Sequence, residues 1–236
     1  MPEKPSPQPI TYVKPEWKIR TSVFILLLVA ALGVLLIPLE QSVQRPGGLL
    51  LISMLIQFAC FFLIPLYVAG VKYDQPPQAL GIQEKPFSQG LGKGISWGIT
   101  LKILSVLVFV ALLLLFPDHP QEEQMIVQAM LEENNSFELF GLVVGLTVLA
   151  PVGEEIFFRA FMMGAIEARF GRLAGVVISS IVFAALHENI WNFLPLFVGG
   201  CGFALLYAKY RDISLNIVAH SVWNGIAVIL MFSIRG

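Results

Sequence analysis

Four uncharged, apolar stretches of about 20 residues constrain this chain more than any other feature, because a helix of that length and character spans a bilayer. They are 21–39 between Arg20 and Glu40, 46–71 between Arg45 and Lys72, 189–208 between Glu188 and Lys209, and 213–234 between Asp212 and Arg235. Three further stretches are interrupted. Residues 94–117 contain Lys102, whose long side chain is expected to snorkel to the headgroups. Residues 139–168 contain Glu154, Glu155, Arg159 and Glu167, and the short stretch 173–187 ends at His187. That last helix must borrow a turn from its flank or sit between neighbours. The predicted fold is therefore all-α, a polytopic membrane helical bundle with about seven transmembrane helices.

Composition narrows the function classes. Hydrophobic residues make up 56% and charged residues 13% of the 236 residues, against about 45–50% and about 25% in an ordinary soluble domain. Too few charges remain to coat a water-facing surface, which excludes a soluble enzyme, a disulfide scaffold and a disordered chain. With 15 Lys+Arg, 16 Asp+Glu and a net charge of −1 there is no basic footprint for nucleic acid. Cys60 and Cys201 sit in apolar runs and read as small hydrophobes. The expected partners are the lipid bilayer and a peptide or membrane-protein substrate.

The predicted organisation has four parts. Residues 1–20 form a Pro-rich, disordered cytoplasmic tail, 21–117 hold three transmembrane helices, 118–137 form an acidic outer loop with a short surface helix, and 138–236 form a four-helix core. The first apolar run ends at Leu39-Glu40-Gln41 without a small-residue cleavage site, so it stays as an anchor. Basic loops stay cytoplasmic, and a cytoplasmic N-terminus puts 11 Lys and Arg inside against Arg45 and Arg235 outside. No internal repeat is visible, which weakens a transporter of duplicated halves. Gly90-Leu91-Gly92-Lys93-Gly94 lacks the spacing of a phosphate loop and reads as a flexible start of a helix. Gly141 and Gly145 form a small-xxx-small pair suited to close packing on a neighbour.

Ionisable side chains inside a bilayer are costly, and an unforced cluster of them marks a site. Glu155 and Arg159 stand at i and i+4 with the carboxylate N-terminal, the favourable order for an ion pair. Glu154 points about 100° away, with Phe157 and Phe158 where a basic partner would stand. An unpaired carboxylate in a low dielectric holds a proton readily, as a general acid or base must. A structural Glu–Arg clamp with Glu154 facing a watery crevice is an equal reading of these residues alone. His187 ends its span one turn after Phe183, and Asn216, His220 and Asn224 form a stripe that could be interhelical glue. Depth argues for more. Counted from the basic ends, Glu154 and His187 each lie about 22 Å along their helices, His220 about 12 Å and Asn224 about 18 Å. Helix tilt absorbs that spread, so three spans bring acid, imidazole and amide to one level.

Glu154-Glu155-x-x-x-Arg159, Phe183-x-x-x-His187 and His220-x-x-x-Asn224, in this order, resemble the motifs of the CPBP (Abi) family. That family includes the type II CAAX prenyl endopeptidases typified by the Ras-converting enzyme. The resemblance covers roughly residues 138–232. It implies an intramembrane endopeptidase with Glu154 as catalytic carboxylate, Glu155 and Arg159 as its supporting pair, His187 sharing the attacking water, and His220 with Asn224 stabilising the oxyanion. It points to a metal-free mechanism and to a CAAX-type substrate among other peptides. Ser221 adjoins His220 but diverges from it by about 100°, so water is the better nucleophile. Three rivals stay open: a zinc site of Glu154, His187 and His220, although Trp191 stands where HExxH needs its second His; a non-catalytic scaffold or assembly factor; and an ion carrier using Glu154 and Arg159.

Overall fold

Apolar runs of this length leave the backbone one way to satisfy its polar groups in lipid, and the chain takes it: every main element is a helix. The structure is a computed structural model that describes residues 12–42, 46–118, 125–187 and 189–235. Eight helices stand among the described residues, with no strand. They are α1 (Ile19–Ser42), α2 (Pro46–Leu66, continued by a π-helical turn Tyr67–Lys72), α3 (Leu91–Leu115), α4 (Met125–Glu132), α5 (Ser136–Phe170), α6 (Arg172–Ala185), α7 (Ile190–Tyr210) and α8 (Ile213–Arg235). Six are long and apolar enough to cross a bilayer: α1, α2, α3, α5, α7 and α8. Large apolar side chains such as Leu27, Leu35, Leu114 and Ile190 lie bare on their outer faces, which only a lipid surround tolerates over such an area. The chain is an integral, multi-pass membrane protein.

The short seventh candidate borrows no turn. Helix α6 has 14 residues, about 21 Å of rise against a hydrocarbon core of about 30 Å, and it packs between α5 and α7. Of the tail expected to be disordered, residues 1–11 lie outside the described residues, but Tyr12–Lys18 lie along the core. Trp17 is 3% exposed, stacks on Phe161 at 4.8 Å and donates its indole N–H to the Phe161 carbonyl at 2.8 Å. An indole offers both large apolar area and one donor, so a single Trp anchors the segment. Within the stretch expected to hold a surface helix, Met125–Glu132 is helical, and residues 119–124 lie outside the described residues.

Close helix approach is arranged by glycine. A β-carbon at Gly90 would meet Leu215, one at Gly94 would meet Val218, and one at Gly98 would stand 2.4 Å from the Ala219 carbonyl oxygen. Both numberings rise together, so α3 and α8 run parallel along a seam of glycines spaced by four. Gly90 and Gly94 of the run that read as a flexible helix start belong to this seam, and Gly92 faces away from it. Gly141 and Gly145 press on Leu51 and Met54 of α2, the close packing their spacing suggested.

Helix α5 is not regular. It widens into π-helix at Gly145–Leu149 and again at Glu155–Met163. Pro151 supplies one reason, since it has no N–H to donate into the preceding turn. In the i→i+5 pattern the Ala150 N–H reaches the Gly145 carbonyl, and the Leu146 carbonyl would face Pro151, which cannot bond it. That carbonyl is therefore left for a side chain from elsewhere. Below it, Phe157, Phe158 and Phe161 are almost wholly buried; Phe61 of α2 stacks on Phe157 and meets Phe158 edge-on, and Phe161 stacks on Phe157, giving the bundle its core.

Candidate active site

The second π-helical segment begins at Glu155, where the cluster of ionisable groups lies. Glu155 and Arg159 are fully buried, with Arg159 Nε 3.1 Å from Glu155 Oε2. The same oxygen accepts from Asn216 Nδ2 at 3.0 Å, and Glu155 Oε1 accepts from His220 Nδ1 at 2.9 Å. A carboxylate with three such donors offsets much of the cost of its own burial. The Arg159 guanidinium faces the rings of Phe183 at 4.8 Å, Phe203 at 5.7 Å and Phe158 at 5.9 Å, an aromatic cage that suits a weakly hydrated cation. Its Nη1 and Nη2 find no hydrogen-bond partner among the described residues.

Of the pair expected to support Glu154, Arg159 bonds Glu155, and Glu155 in turn bonds His220. With Nδ1 donating to Glu155, the ring is fixed with Nε2 toward Glu154, 3.8 Å from Oε2. Phe203 stacks on the imidazole at 4.8 Å and 22°, which sets its plane. Sequence spacing shows partners along one helix, and His220 reaches Glu154 from another. Asn216, read as part of a polar stripe, anchors α8 by bonding Glu155 and the Phe203 carbonyl at 2.8 Å.

His187 hydrogen-bonds the Phe183 carbonyl through Nδ1 at 2.8 Å. A carbonyl only accepts, so that nitrogen carries the hydrogen and neutral His187 presents a lone pair at Nε2. The Phe183 ring touches both histidines edge-on, at 4.9 Å to His187 and 5.8 Å to His220. Asn224 Nδ2 donates to the Leu146 carbonyl at 2.9 Å, the acceptor that Pro151 leaves unbonded. An amide has two such hydrogens, and this bond uses one.

Glu154, His187, His220 and Asn224 line one cavity of about 480 Å³, walled also by α3 and α4. The four residues expected from α5, α6 and α8 thus share a space open to a peptide-sized ligand. Lys102 of α3, expected to snorkel, lines it too, with Nζ 5.2 Å from the centre of the Trp223 ring. Sequence reading missed Phe203, Leu146 and Lys102 as parts of the site. The first two act through a ring and a carbonyl that no residue pattern announces, while an uncompensated lysine in a span was a usable signal. Glu154, His187 and His220 face the same space, yet among the described residues no three His, Cys, Asp or Glu side chains gather closely enough to hold a metal ion. Ser221 is not part of the lining.

Residues 136–226 match the family described as type II CAAX prenyl endopeptidase Rce1-like. Two bacterial relatives share this region. One is YdiL of Bacillus subtilis (strain 168), whose name makes it a candidate membrane peptidase; it is 30% identical over 89 residues, 38% of this chain and 36% of its own length. The other is the membrane-embedded CAAX protease MroQ of Staphylococcus aureus (strain USA300), 30% identical over 90 residues, 35% of this chain and 36% of its own. The match therefore spans just over a third of these relatives. No solved structure matches the chain at comparable stringency.

Proposed function

We propose, taking residues 136–226 as an Rce1-like type II CAAX prenyl endopeptidase domain, that this chain is an intramembrane endopeptidase hydrolysing a peptide bond of a membrane-associated substrate. The observation that carries the reading is the convergence of Glu154, His187, His220 and Asn224 on one cavity from three helices.

The geometry supports these roles. The Glu154 carboxylate takes a proton from a water whose position is shared with the Nε2 lone pair of His187, and the oxygen attacks the substrate carbonyl. Negative charge develops on the carbonyl oxygen, toward which Asn224 directs its second amide hydrogen. His220 can donate there from Nε2 only with both ring nitrogens protonated, because Nδ1 is committed to Glu155. As the C–N bond breaks, the proton on Glu154 passes to the leaving amine. No metal is assigned, because the Glu154 carboxylate meets the need for water activation by itself. A CAAX-type substrate is part of this proposal and rests on the family match. The N-terminus is placed in the cytoplasm on the charge bias of the loops.

The test is Glu154→Gln in purified protein, with cleavage of a reporter peptide followed beside its binding. Retained folding and binding with cleavage lowered by at least ~10²-fold is expected from loss of a general base. EDTA or phenanthroline should leave wild-type cleavage intact. Chelator-sensitive cleavage restored by zinc would replace the metal-free mechanism, and full biological function of Glu154→Gln would favour a scaffold.

A further inference from the structure

Lys102 stands in the middle of an apolar span, and a lysine there is costly unless something uses its charge. It is half-buried, and among the described residues no carboxylate lies within ion-pair distance of it and no hydrogen bond engages its ammonium. Its contact is the face of Trp223, 5.2 Å from Nζ to the ring centroid. Among the described residues it is the one Lys or Arg lining the cavity of Glu154, His187, His220 and Asn224. The cavity so combines a hydrolytic wall with a cation left without a counter-ion.

We propose that Lys102 is a specificity-determining residue that binds a carboxylate of the peptide substrate, so that the chain cleaves near a negatively charged group. The inference rests on the endopeptidase reading and deepens it. Contacts of 5.2 Å from Nζ to Trp223, 5.5 Å from Trp223 to Phe203 and 4.8 Å from Phe203 to His220 lead from the ammonium to the reacting centre. At about 3.3–3.6 Å per extended residue, a handful of peptide residues bridges that path. Trp223 holds the ammonium by its ring face and so leaves its N–H donors free for an anion. Two sources supply the same chemistry: a free C-terminal carboxylate, or an Asp or Glu side chain.

Three peptides of one core sequence separate the sources: one ending in a carboxylate, one in a carboxamide, and one amidated with a Glu near its end. The wild type should prefer the first over the second by at least ~10-fold in kcat/KM, mostly through KM. A Lys102→Met variant should bring that ratio close to one, and Lys102→Arg should keep most of it. Recovery with the Glu-containing amide would assign the site to side chains; failure to recover would assign it to the C-terminus. Lys102→Met should fold, since it removes a charge from a span, and a thermal melt checks this. An equal loss on acid and amide, or one shift of both pH–rate profiles, would make Lys102 a distant counter-ion of Glu154 and overturn the proposal. If the wild type cleaves none of the three, the endopeptidase reading fails by itself. Calorimetric binding of the uncleaved peptides then decides the inference, with a carboxylate preference that Lys102→Met abolishes supporting it and no preference overturning it.

Discussion

At Glu155 a single carboxylate receives Arg159, Asn216 and His220, so its loss reaches further than one ion pair. Glu155→Ala should lower stability by roughly 3–5 kcal/mol, because it leaves the Arg159 guanidinium buried and uncompensated. Arg159→Ala should cost a similar amount, and the double variant less than the sum of the two. Melts in one detergent measure all three, and a wild-type melting curve for either single variant would show that the pair is not buried. Asn224→Ala addresses a different role. It should keep substrate binding while cleavage falls roughly 10²–10³-fold, the scale for removal of one oxyanion donor, as read by kcat and KM on the same peptide. That Glu154, His187, His220 and Asn224 belong to one polar cluster was visible in residue type and spacing. Which carboxylate supports which imidazole was not, because that pairing joins residues 65 positions apart.

Between α3 and α8 the bundle depends on backbone contact, with glycine at each crossing point. Gly98→Ala would drive its methyl against the Ala219 carbonyl oxygen at 2.4 Å, a backbone atom that no rotamer change can move. A loss of about 1–3 kcal/mol is expected, as for overpacking elsewhere. Gly92→Ala is the matched control, since nothing lies within 4 Å of the added methyl. It should melt at or slightly above the wild type, because alanine is the better helix former. Helix α5 shows the complementary device. Pro151 removes one donor, the helix widens into π-turns, and the freed Leu146 carbonyl receives Asn224. Hydropathy identified the helix, but it has no means of registering a change from α to π.

For the whole molecule, the loop charges predict that Ser88 faces the cytoplasm and Asn134 the opposite side. In a background lacking Cys60 and Cys201, a thiol reagent that cannot cross the membrane should label Asn134→Cys in intact cells and spare Ser88→Cys until the cells are opened. The reverse pattern would invert the orientation. That this chain lives in a bilayer was determined by sequence alone, since uncharged runs of about 20 residues permit no other environment. So were the helices that carry Glu154, His220 and Asn224, because an apolar run of spanning length marks each of them. Tertiary structure decided the rest. It shortened α6 to a helix between neighbours, drew Tyr12–Lys18 onto the core through Trp17, turned Glu155 toward His220 and brought Lys102 to the cavity. Each of these depends on the direction in which one helix faces another, and hydropathy averaged over a span carries no direction.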